Sequence, residues 1–92
     1  MLSEYSGAEE QHNLTPERVL RSLQAHAKAR PTIYNRNLFA RKAAIYYEDR
    51  AASARAFQML GQDWDRLAFR NSQAYQLFQK WANNPGVPYP EF

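Results

Sequence analysis

The chain has 92 residues, so it has room for one domain and a modest core with little stability to spare. Hydrophobic residues make up 45% of it, which argues against wholesale disorder, and the absence of cysteine excludes disulfide scaffolds, thiolate zinc sites and thiol catalysis. Net charge is +3, unevenly placed: residues 1–17 hold four glutamates and no base, whereas residues 18–42 hold seven bases and no acid.

Residues 1–13 have little periodicity and read as a flexible acidic arm, unlike a signal peptide. No run reaches the roughly 18 apolar residues that a membrane span needs. A soluble, cytoplasmic protein is the expectation. The helical body is placed at 14–84 and an extended tail at 85–92.

Thr15-Pro16-Glu17 is a strong helix start: an N-cap, a proline at the first position and an acid at the positive end of the dipole. This helix should run to about Arg30, before Pro31, and bury Val19, Leu20, Leu23 and Ala27. Residues 30–36 read as a connector. Asn37 to Leu60 reads as one long central helix, capped by Asn37 and ended by Gly61. Phe39, Ala43, Tyr46, Tyr47 and Phe57 share its broad apolar arc. Glu48-Asp49-Arg50 is its weak point: if Asp49 caps a new helix, the stretch is two helices and the phase resets.

A third helix is expected from Asp63 to Asn83, with Trp64, Leu67, Ala68, Tyr75, Phe78 and Trp81 on one stripe. Two residues break that stripe: Asn71 lies inside it and Phe69 well outside. Asn83-Asn84-Pro85-Gly86 ends the helix, and Val87–Phe92 is proline-rich and extended. Folding back of Tyr89 and Phe92 onto the body is the preferred reading of this tail, against a free docking peptide. The fold class is therefore all-α, a small bundle of three helices, or four if the middle one breaks. Its expected core is Val19, Leu20, Leu23, Phe39, Ala43, Tyr46, Phe57, Trp64, Leu67, Tyr75, Phe78 and Trp81.

Catalytic signals are sparse. The two histidines, His12 and His26, have no acid placed to orient them, and no metal-ligand, P-loop or nucleophile-elbow spacing occurs. Glu48 and Asp49 are adjacent, so on a helix they point about 100° apart rather than converging as an acid/base pair. No enzyme activity, cofactor or metal is expected. A helix-turn-helix laid over 57–70 fails: bulky Phe57 fills the small-residue site, and Asp63 and Asp65 would repel DNA.

Two functions remain. The first is a non-enzymatic protein-binding module, an adaptor, regulator or inhibitor of a larger assembly. Its candidate contacts are Tyr34, Arg36, Arg41, Arg55 and Phe69, facing an acidic or mixed patch on another protein. A homodimer would equally bury the off-stripe apolar residues Phe69, Leu77, Ile45 and Met59. The alternative is nucleic-acid binding through Arg18, Arg21, Lys28, Arg30, Arg36, Arg41 and Lys42.

Overall fold

The first helix, α1 (Pro16–Ala29), forms because its ends are satisfied locally. The Thr15 hydroxyl accepts from the Arg18 amide at 3.2 Å, Pro16 opens the helix, and His26 and Lys28 sit at its negative end. It buries Val19, Leu20 and Ala27. In this computed structural model the described residues are 15–66 and 68–90, and among them the fold is all-α, with four α-helices and no strand.

The expected connector is largely helical. Helix α2 spans Ile33–Arg41, capped by Thr32, whose hydroxyl accepts from the Asn35 amide at 3.0 Å. Pro31 disfavours helical geometry only at the residue before it, so the chain nucleates again within one turn. Asn37 is therefore no cap; it lies inside α2 and is buried.

The central helix breaks. After α2 the backbone widens into a π-turn over Lys42–Tyr46, with the Tyr47 amide donating to the Lys42 carbonyl at 2.9 Å. Glu48 then takes φ 51°, and the Asp49 carboxylate caps α3 (Arg50–Leu60) through the Ala52 amide at 2.9 Å. The break undoes the single apolar arc. Tyr46, expected in the core, is 58% exposed.

Gly61 ends α3 at φ 59° and ψ −123°, a region open in practice only to glycine. The last helix, α4 (Ser72–Asn83), begins nine residues later than expected, because Asn71 caps it through the Ala74 amide at 2.9 Å. This explains both exceptions to the third stripe. Asn71 is a cap rather than a core residue, and Phe69 sits in a non-helical segment where helical phase has no meaning. Phe69 is in fact 1% exposed, at the centre of the core.

That core joins Phe57, Phe69, Tyr75 and Phe78 in a ring network with centroids 5.1–5.9 Å apart. Alanines 40, 43, 44, 52 and 56 are buried and let the backbones of α2, the π-turn and α3 approach closely. Each helix packs chiefly on its chain neighbour: α1 on α2, α2 on α3, α3 on α4. Leu23 and Trp64 are half-buried rather than central, and Trp64 stacks on Tyr75 at 5.5 Å. Leu67, the arm over 1–13 and Phe92 lie outside the described residues. No helix among the described residues is long and apolar enough to cross a membrane.

Candidate functional site

Segment 61–71 has few backbone bonds of its own, and polar side chains of α2 hold it. Asn37 donates to the Ile33 carbonyl at 2.9 Å and the Asp63 carbonyl at 3.0 Å, and accepts from the Asp65 amide at 2.8 Å. Arg36 pairs with Asp63 at 3.1 Å and donates to the Met59 carbonyl at 3.2 Å. Arg41 donates to the Ala68 carbonyl at 3.1 Å. Three polar residues on one helix thus fix the path of a loop far along the chain.

The tail is held by similar means. Arg50 lies 5.4 Å from the centre of the Trp81 ring and donates to the carbonyls of Pro85 and Val87. Tyr89 packs edge-on against Trp81 and Phe78, and its hydroxyl donates to the Ala44 carbonyl, beside the helix break, at 2.7 Å. Burial, and then the charge of Glu48, push the Tyr89 phenol upward. Burial, and then Asp63, push the Tyr75 phenol up to about 12, and it donates to the Gly61 carbonyl at 2.8 Å. Both phenols keep their protons at neutral pH and act as structural donors.

Between the held loop and the held tail lies an open groove of about 500 Å³. Phe69, Phe78 and Ala74 form its floor, and Ile45, Tyr89 and Pro90 its walls. Arg41, Arg66 and Arg70 line its rim, and among the described residues no carboxylate lines it. Arg66 and Arg70 are exposed and form no ion pair or hydrogen bond among the described residues. The Ala68 and Phe69 amides both donate to the Asp65 carbonyl at 2.9 Å.

The five predicted protein contacts do not form one surface. Arg36 and Arg41 are committed to the fold, and Phe69 is buried in the floor of the groove rather than exposed on the surface. Arg55 bridges α3 to α1 by donating to Gln24 at 3.0 Å. Tyr34 is 72% exposed, beside exposed Ile33 at the first turn of α2. Of the predicted nucleic-acid contacts, Arg18, Arg21, Lys28 and Arg30 are exposed on or just after α1, whereas Lys42 sits 4.2 Å above the Tyr46 ring. Sequence reasoning missed Arg66 and Arg70. Their signal was the spacing R-L-A-F-R, two arginines four apart around an aromatic residue, hidden while the segment was read as helix interior.

Among the described residues no group of His, Asp and Glu gathers to hold a metal ion. No family profile, curated protein or solved structure matches the chain.

Proposed function

We propose that this chain is a non-enzymatic protein-binding module, an adaptor, regulator or inhibitor of a larger protein assembly, built as a small helical bundle. One observation carries the reading: two guanidiniums uncommitted among the described residues, Arg66 and Arg70, stand over an apolar groove that no described carboxylate lines. Arginines beside an aromatic floor are the composition of interface anchors. Tyr34 and Arg55, both exposed, add contact area elsewhere on the surface. The arm over 1–13 and the end of the tail are further docking segments in this reading.

The test is a pull-down with the tagged full chain from its native host, with and without nuclease, run beside the double variant Arg66→Glu/Arg70→Glu. Circular dichroism checks that the variant is folded, as two exposed substitutions should leave it. The expected result is one stoichiometric protein that survives nuclease and is lost with the variant. A protein retained equally by the variant would remove the groove from the reading.

A second reading, nucleic-acid binding, draws on the exposed bases Arg18, Arg21, Lys28 and Arg30. It expects binding that weakens steeply with salt, with a logarithmic slope of roughly −0.9 per duplex phosphate neutralised. Capture abolished by nuclease would favour it.

A further inference from the structure

We infer that the groove receives an acidic peptide segment carrying one large apolar side chain. The apolar side chain lies on Phe69 and Phe78 against Tyr89, and flanking carboxylates meet Arg66 and Arg70. This inference rests on the protein-binding reading and names the chemistry of the partner.

Charge complementarity comes first. Three guanidiniums face a volume that no acid among the described residues lines, and two of them are uncompensated among those residues. Next to an apolar floor, a carboxylate gains a charge-assisted and often forked pair of hydrogen bonds from each. A neutral or basic segment would leave the same cations facing apolar atoms with nothing gained.

Size comes second. About 500 Å³ accommodates one large side chain with the short backbone that carries it, within the ordinary range of ligand pockets. The form of the floor then separates peptide from nucleic acid. Base stacking needs exposed ring faces. Phe69 is 1% and Phe78 6% exposed, so the floor offers no open ring face for a base, and an aliphatic or aromatic side chain laid across it meets a closed apolar surface.

The groove is also built in advance. The Arg41 bond to Ala68 fixes the loop, while the Tyr89 bond to Ala44 and the Arg50 bonds to Pro85 and Val87 fix the tail. A preformed site spares the ordering entropy that weakens contacts made by mobile segments.

The experiment is selection of binders from a random peptide library displayed against the full-length chain. Enriched peptides are then titrated against the unaltered protein, Arg66→Glu/Arg70→Glu and, as a control, Arg18→Glu/Arg21→Glu. The expected peptides place Asp or Glu around a Phe, Trp or Leu. Their affinity should fall about tenfold or more in the groove variant, hold in the α1 variant, and weaken with added salt. Amide shifts on binding should centre on Ile45 and Ala74. Enriched peptides that lack acids and still shift those amides would overturn the inference while leaving a protein-binding groove. No enrichment at all, together with oligonucleotide binding lost in the α1 variant, would overturn both. Sedimentation showing a dimer that the groove variant dissolves would assign the groove to a second copy and overturn the peptide partner.

Discussion

Helices α1 and α2 carry arginines of the same chemistry and put them to opposite uses of the fold. α1 closes its own backbone: Thr15 caps it, its last turn is basic, and every interior amide has a helical partner. Its arginines are left to solvent. Segment 61–71 leaves backbone groups open, and Asn37 and Arg41 reach across from α2 to take them, while Arg36 pairs with the Asp63 carboxylate. A basic residue on a self-sufficient helix is thus free for a partner, whereas one facing an incomplete loop is spent on the fold. Counting positive charges along the sequence does not separate the two.

The comparison breaks most sharply at Phe69. It lies in the dependent loop yet contacts three rings of the core, at 5.8 Å from Phe57, 5.1 Å from Tyr75 and 5.9 Å from Phe78. Phe69→Ala should cost about 3–5 kcal/mol in chemical denaturation. Trp64→Ala, in the same loop but only half-buried, should cost clearly less. Equal costs would mean that the loop is not anchored through Phe69. Next in size is Asn37→Ala, which strands the half-buried Asp65 amide and the Asp63 carbonyl and should cost about 1–3 kcal/mol. Arg18→Ala on α1 should stay within about 0.5 kcal/mol. If the two substitutions cost the same, the dependence of the loop on α2 is disproved.

Alkaline pH sharpens the contrast through Tyr75, which ties α4 to the start of the loop at Gly61. Its pKa rises from 10.0 to about 12 on folding, chiefly by burial and then by Asp63. The unfolded chain therefore gives up this proton first. The contribution is fully present below pH 10 and is lost as pH rises from 10 towards 12. Denaturation midpoints should fall over that window, and Tyr75→Phe should flatten the fall. α1 contains no tyrosine, so its helicity should outlast the loop contacts in amide exchange at the same pH.

The legible parts of the sequence were those that satisfy themselves locally. Thr15-Pro16-Glu17 announces α1 because cap, proline and dipole act within one turn. The all-α class follows from apolar residues at helical spacing. Asp49 was visible as a potential cap, and its choice over helix continuation depends on Glu48 adopting φ 51°, which packing decides. Asn71 and Phe69 marked the first part of the expected third helix as wrong, since both contradicted a helix that does not exist there, while Tyr75, Phe78 and Trp81 of its stripe are buried. What no local rule could supply was that Asn37, a plausible cap by type, would be buried and bonded to residues 63 and 65. The groove was illegible for the same reason: Ile45, Arg66, Phe78 and Tyr89 meet only once the break, the loop and the tail are in place.

The smaller effects probe the break itself, where backbone strain is visible at Glu48. Glu48 is the only non-glycine residue at positive φ among the described residues. Glu48→Gly removes the clash between side chain and backbone there, worth about 1–2 kcal/mol, but gives the unfolded chain more freedom to lose. The net expectation is a gain of roughly 0.5–1 kcal/mol. Within α3, Ser53 is fully buried and its hydroxyl has no partner among the described residues. Replacing it with alanine removes an unpaired polar group and improves helix propensity, while deleting one atom. Ser53→Ala should raise the midpoint by an amount equivalent to about 0.5–1 kcal/mol. A loss of stability instead would show that the hydroxyl has a bonding partner in solution, most simply a trapped water, and that the closest-packed part of the fold is less dry than its alanines suggest.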